Sequence, residues 1–124
     1  MVSKLIGLLL LVLFVSPASA GIVLDATTVR LEVVTTSTAT IDYDCNWHDN
    51  TTTAFTPGAT SGQITTATTT TVVAAPAAST QRNIQNCTFR NAGTANNTLT
   101  IQKDLSAANR TKYSATLGAN ESIR

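Results

Sequence analysis

Short segments in which apolar and polar residues alternate one for one recur along this chain, without a long amphipathic helix between them. Val29, Leu31 and Val33 alternate with charged residues, and the same two-residue period returns near residues 38–45, 98–103 and 112–117. This period is typical of half-buried β-strands, because successive side chains of a strand point to opposite faces. We therefore expect seven or eight short strands in an all-β fold, a jelly-roll-like antiparallel β-sandwich of two sheets.

Composition supports the same fold class. About a fifth of the residues are threonine, which is branched at Cβ and suits a pleated surface. A stalk carrying O-linked sugars is the competing interpretation of a threonine-rich chain. Such stalks are rich in proline, whereas this chain has three prolines, and its apolar residues alternate with polar ones. We favour the folded domain.

The first twenty residues have the order of a secretory signal peptide. Lys4 precedes an apolar run at residues 5–15, and small residues stand at the −3 and −1 positions before Gly21. The run is about half of the ~20 residues that span a bilayer, so we expect cleavage before Gly21; an uncleaved anchor is the alternative. The prediction is one domain at residues 21–124 that is secreted or periplasmic, with membrane contact only through the signal segment.

The charges and the cysteines restrict the functional classes further. Without Lys4 the chain has seven basic and seven acidic side chains, and none form the basic stripe of a nucleic-acid-binding protein. Cys45 and Cys87 are the only cysteines, and an even number in a small secreted domain predicts a disulfide. Closing this 43-residue loop should stabilise the fold by roughly 4 kcal/mol. Two unpaired thiols are the alternative.

Several turns and one irregular strand are predicted from local signals. Residues 46–50 and 56–62 are expected to be loops, the second because of its Pro-Gly pair, and residues 104–110 a polar connection with room for one helical turn. Between residues 82 and 90 the apolar residues change parity, which requires a β-bulge or burial on both faces.

Two segments are candidates for assembly with other molecules. Residues 65–74 predict a strand with weakly marked faces, and a strand of that kind favours pairing with another chain. Residues 121–124 resemble the start of a strand that either continues in further sequence or is completed by a neighbour. The positions assigned to assembly are Thr65, Thr66, Thr68, Thr69, Thr70, Thr71, Val72, Val73, Glu121 and Ile123.

The stretch TTTTVVAAPAASTQRNIQNCTFRNAGTA, which begins at Thr68, resembles small virion-associated β-proteins of tailed bacteriophages and prophages. The likeness extends through residues 98–102 and 115–123. It implies a β-sandwich that serves as a structural or surface module. The secretion signal and the cysteine pair depart from that family, so a related module in a secreted or envelope-crossing assembly is implied.

A cluster around Trp47 is the alternative functional site. Tyr43, Asp44, Trp47 and Asp49 would form a carbohydrate- or surface-binding module in which an aromatic ring stacks on a sugar. The competing interpretation is that Trp47 covers the disulfide. Asp42, Asp44 and Asp49 carry the oxygen ligands that Ca²⁺ takes, with a solvated strand edge as the competing interpretation, and no metal or other cofactor is assigned.

Enzymatic activity is not expected. His48 is the only histidine, and no Gly-x-Ser-x-Gly nucleophile elbow is present. If the source glycosylates its secreted proteins, the possible acceptor asparagines are Asn50, Asn96, Asn109 and Asn120, with Asn86 the weakest because it lies in a predicted strand. The resulting prediction is a non-enzymatic structural protein whose partner is itself or a larger particle, with a surface glycan as the alternative.

Overall fold

The computed structural model describes residues 21–124, so the predicted signal peptide lies outside the described residues. These residues form no helix, and hence none that is long and apolar enough to cross a membrane. Nine strands follow one another: β1 (Ile22–Leu24), β2 (Arg30–Thr35), β3 (Ile41–Asn50), β4 (Phe55–Ile64), β5 (Thr69–Val73), β6 (Gln81–Asn91), β7 (Asn97–Asp104), β8 (Asn109–Leu117) and β9 (Ser122–Ile123).

The strands make two antiparallel sheets that pack face to face, which confirms the predicted β-sandwich. One sheet has the order β1-β6-β3-β4, and β9 also pairs with β6; the other has the order β5-β2-β7-β8. Alternating side chains from both sheets meet between them, as the two-residue period predicts. The buried apolar core consists of Leu24, Val29, Leu31, Val33, Ile41, Cys45, Ile64, Val72, Val73, Ile84, Phe89, Leu99 and Leu117.

A bulge in β6 resolves the parity conflict seen in the sequence. Gln85 is an extra residue, because its neighbours on either side pair with Asn46 and Trp47, which are consecutive in β3. An extra residue turns the following side chains to the opposite face. Ile84 and Phe89 therefore both point into the core, where each is at least 94% buried. Of the two predicted alternatives, a bulge or burial on both faces, the bulge is the one present.

The predicted loops at residues 46–50 and 56–62 are wrong, because both segments are strand. The first completes β3 and the second lies in β4, and the two strands pair over ten consecutive residues. The turn between them is at residues 51–54. Thr51 Oγ1 accepts hydrogen bonds from the N–H groups of Thr53 and Ala54 at 3.3 and 3.0 Å, and the Thr51 N–H donates to the Ala54 carbonyl. A threonine side chain thus supplies the turn chemistry expected from the Pro-Gly pair.

The glycines of β4 are required by packing. A Cβ on Gly58 would overlap the Trp47 indole, and one on Gly62 would lie 2.8 Å from the Tyr43 hydroxyl. Both aromatic rings therefore lie across β4 at glycine positions. Pro57 fits because β4 is an edge strand, where a missing N–H costs no ladder hydrogen bond. The Pro57-Gly58 pair, which predicts a turn from local chemistry, therefore lies within a strand, and the Trp47 ring packs against it.

Two further boundaries differ from the prediction. The helical turn allowed at residues 104–110 is absent, because the strands β7 and β8 extend into it and a short hairpin joins them. In that hairpin the Leu105 N–H donates to the Ala108 carbonyl at 3.0 Å, and Asp104 accepts from the Ser106 N–H at 2.8 Å. The predicted strand at residues 65–74 shortens to β5, so Thr65, Thr66 and Thr68 lie before the strand.

Candidate assembly edge

Two edge strands on one side of the sandwich carry no charged residue. From Asn50 to Gln81 the sequence has thirty-two residues without an aspartate, glutamate, lysine or arginine. This segment contains β4 and β5, which are edge strands of different sheets and lie beside each other. The two uncharged strands therefore form a continuous side of the molecule, which we call the uncharged edge.

The uncharged edge is fixed at one end by a buried threonine. The corner at residues 65–68 carries the chain from one sheet to the other, and Thr35, which is 4% exposed, holds it. The Thr35 hydroxyl donates to the Thr66 carbonyl at 2.8 Å and accepts from the Thr68 N–H at 3.2 Å. The Thr35 N–H also donates to the Thr68 carbonyl at 2.9 Å. These bonds set the position of β4 relative to β5.

An ion pair fixes the other end. Asp49 and Arg82 directly flank the uncharged segment in the sequence, and their side chains form a bidentate pair at 2.7 and 2.8 Å. Arg82 also donates to the Ala74 carbonyl at 3.0 Å and lies 3.6 Å from the centre of the Trp47 ring. Hydrogen bonds from Arg82, and secondarily its charge, lower the pKa of Asp49. The pair ties β3, β6 and the end of β5 together.

The strand register shows which residues of β4 turn their main-chain N–H and C=O groups toward its free side. Cys45 and Cys87 face each other with Cα atoms 4.1 Å apart, the short spacing of a pair that does not exchange main-chain hydrogen bonds. Cys45 therefore turns its N–H and C=O toward its β4 partner, Thr60. By alternation, Ala59, Ser61 and Gln63 turn theirs away from β3, as does Pro57, which has no N–H to offer.

The four sheet edges differ in how they are protected. Natural proteins block exposed edges with charges, prolines, bulges or short strands. The edge strand β8 carries Arg110 and Lys112, and β1 and β9 are three and two residues long. In contrast, β4 is ten residues long, pairs without a bulge and has Pro57 as its only blocking residue. Most of its side chains are small; the larger ones include Phe55, which is 63% exposed, and Gln63, whose amide donates to the Asp42 carboxylate of β3 at 2.7 Å.

Part of the assembly set predicted from the sequence lies on this side. Thr69, Thr70 and Thr71 are in β5, an edge strand as expected, but Val72 and Val73 are fully buried in the core and are not available to a partner. A bulge at Val72 also interrupts the pairing of β5 with β2. The longest uncharged edge, β4, was missed because its glycines and its Pro-Gly pair hide the strand pattern. The length of the charge-free segment is the signal that could have identified it.

The C-terminal positions of that set lie across the molecule from the uncharged edge. Ile123 is in β9 opposite Phe89. Glu121 is in the preceding turn, where its carboxylate accepts from the Gly118 N–H at 2.6 Å and its carbonyl accepts from the Asn91 N–H at 2.8 Å. Glu121 therefore closes a turn and is not on a free edge.

The proposed ligand-binding residues do not converge on one surface. Tyr43, Trp47 and Asp49 lie on the inner face of their sheet with Cys45, while Asp44 lies on the outer face and is exposed. The Ca²⁺ candidate is divided in the same way, because Asp42 and Asp44 lie on the outer face and Asp49 on the inner face. Within residues 21–124, no three histidine, cysteine, aspartate or glutamate side chains are placed to hold a metal ion.

The histidine and the candidate glycan acceptors have simple surroundings. His48 lies on the outer face with its ring stacked on Phe55 at 4.6 Å, and within residues 21–124 its Nδ1 has no hydrogen-bond partner.

Of the candidate glycan-acceptor asparagines, Asn50 ends β3, Asn109 begins β8, and Asn96 and Asn120 are in exposed turns. Asn86 is in β6, where its side chain accepts a hydrogen bond from Asn46 at 3.2 Å.

The predicted disulfide is present: Cys45 and Cys87 are bonded, across adjacent strands. A disulfide is compatible with an extracellular or periplasmic location. Comparison with protein-family models, with curated proteins and with solved structures gave no match. The resemblance to virion-associated β-proteins therefore stays a prediction.

Proposed function

We propose that this protein is a non-enzymatic structural module that acts outside the cytoplasm and assembles with copies of itself through the uncharged edge. The observation that carries the proposal is the free side of β4, ten residues long and without charge. Its outward main-chain groups would pair with the same strand of a second copy, which gives affinity without a side-chain pocket.

The shape of the edge supports this mechanism. Glycine, alanine, serine and threonine make up six of the ten residues of β4, so a second backbone can approach closely. The corner held by Thr35 and the pair of Asp49 with Arg82 hold the edge rigid, which reduces the entropy lost on association. Since Pro57 blocks one end, pairing is expected to run from Ala59 toward Ile64.

Sedimentation velocity of the chain at residues 21–124, over a wide concentration range, tests the proposal. The wild type should show reversible association. Ser61→Lys should be monomeric with an unchanged circular dichroism spectrum, because it places like charges next to each other in the paired strands. Ser114→Lys, on the edge strand β8, is the matched control and should associate like the wild type. A wild type that stays monomeric at millimolar concentration would refute the proposal.

A further inference from the structure

The sheet edge that lies across the molecule from the uncharged edge has an opening between the strands β1 and β9. Both β1 and β9 pair with the same side of β6, at Arg82–Ile84 and at Phe89–Arg90 respectively. Between these two stretches, residues 85–88 have no strand on that side within residues 21–124. The sheet therefore has an interval of about four residues, or roughly 13 Å, with an open main-chain edge.

Cys87 presents unpaired main-chain groups in this interval. Because it forms the close pair with Cys45 that does not exchange main-chain hydrogen bonds, its N–H and C=O point away from β3 and into the opening. Phe89, two residues further on, has the same orientation and is the residue that pairs with Ile123 of β9. Cys87 is thus the next position at which a strand in the line of β9 would bond to β6.

An apolar groove of about 590 Å³ lies beneath the opening, between the two sheets. Its volume is within the range of ~300–1,000 Å³ typical of binding sites. The groove is lined on one side by Ile84 and Phe89 of β6, and on the other by Ile101 of β7 and Tyr113 of β8. Tyr113 lines the groove and is 52% exposed.

The charges at the groove are of one sign. Lys112 and Arg124 are its only charged lining residues, and neither forms a salt bridge within residues 21–124. A partner with an acidic group is therefore favoured over a neutral or basic one. The open main-chain groups of Cys87 distinguish the partner further, because a polypeptide strand satisfies them and an acyl chain does not.

We propose that the groove binds an extended polypeptide segment of alternating apolar residues with one acidic side chain, in β-strand conformation. The segment adds antiparallel to β6, bonds to Cys87 and displaces β9. Its apolar side chains cover Tyr113 and Ile101, and its carboxylate meets Lys112, the charged lining residue that stays in place when β9 and Arg124 move. Displacement of β9 requires movement of residues 122–124 only, because two main-chain bonds hold the preceding turn to Asn91.

A fluorescein-labelled synthetic peptide of alternating valine and threonine with one central aspartate is the probe, and fluorescence anisotropy with residues 21–124 is the measurement. We expect saturable binding and, on binding, slower exchange of the Cys87 amide hydrogen. A peptide with N-methyl groups at alternate residues should not bind. Equal binding of the methylated peptide, or sodium palmitate binding where the peptide does not, would overturn the proposal.

A charge exchange tests the role of Lys112. Lys112→Glu should weaken binding of the aspartate peptide by about two- to fivefold, and a peptide with lysine in place of aspartate should then bind better than the original. Arg110→Glu, on the same strand but outside the groove, is the control and should not change the preference. If neither variant distinguishes the aspartate peptide from the lysine peptide, the assigned geometry is contradicted. Self-association, measured with Ser61→Lys, is a separate result because Ser61 lies on the other side of the molecule.

Discussion

Replacing Arg82 by methionine should destabilise the fold by about 2–4 kcal/mol. The Arg82 side chain is only 12% exposed and that of Asp49 19%, so the pair is largely removed from water. Arg82→Met removes the bidentate hydrogen bonds to Asp49, the bond to Ala74 and the contact with the Trp47 ring. Methionine keeps much of the apolar stem, so packing is retained.

The size of the effect follows from these contacts. Hydrogen bonds between charged groups contribute about 1.5–3 kcal/mol, and a cation over an aromatic ring about 0.5–2 kcal/mol. Allowing for overlap between these terms, we expect a loss of about 2–4 kcal/mol in the free energy of unfolding. Arg90→Met is the matched control on the same strand, because exposed Arg90 makes one side-chain bond, to Asn120 at 3.2 Å. That variant should lose less than about 0.5 kcal/mol.

Urea denaturation at several pH values gives the decisive comparison. The pKa of Asp49 is lowered in the folded state, so its stabilisation is present above the unfolded-state pKa near 3.9 and is lost as the pH falls through the folded-state value. Stability of the wild type should therefore approach that of Arg82→Met as the solution is acidified. A difference below about 0.5 kcal/mol at neutral pH, or one that is constant with pH, would refute this reasoning.

Three other substitutions have defined outcomes. Gly58→Val should cost about 1–3 kcal/mol and change the near-ultraviolet circular dichroism, because its side chain overlaps the Trp47 ring; an unchanged spectrum would contradict this packing. Replacing Cys45 and Cys87 together by alanine should cost about 4 kcal/mol in chemical denaturation, and wild type with dithiothreitol should lose as much; an effect under 1 kcal/mol would argue against the cross-link. Asn97→Ala should cost about 2–3 kcal/mol in thermal unfolding, since this fully buried amide makes four hydrogen bonds to the loop between β2 and β3; a neutral result would exclude that role.

The fold class could be predicted from the sequence because most strands bury alternate apolar residues. Val29, Leu31 and Val33 are buried as their spacing predicts. The prediction failed where long-range contacts replace local chemistry. Gly58 is a strand residue because Trp47 occupies the space of its side chain, and nothing within a few residues of Gly58 indicates this.

The burial of polar residues also could not be predicted from local sequence. Glu32 alternates outward as expected, yet it is 6% exposed, because Arg30 and Gln102 from the same face bond to its carboxylate. For the candidate site, the threonine-rich strand β5 was found from the sequence, whereas β4 was not. Whether a strand lies at an edge depends on the order of strands in the sheet. The alternation of apolar and polar residues within one strand does not give that order.

Concentration-dependent amide hydrogen exchange along β4 tests the assembly proposal most directly. The N–H groups of Ala59, Ser61 and Gln63 face away from β3 and have no partner within residues 21–124, so each should exchange quickly in dilute solution. If copies pair through this strand, the three should become protected together as concentration rises, while Thr60 stays protected throughout. Rapid exchange of all three in concentrated, associated protein would show that the molecules meet elsewhere and would contradict the account.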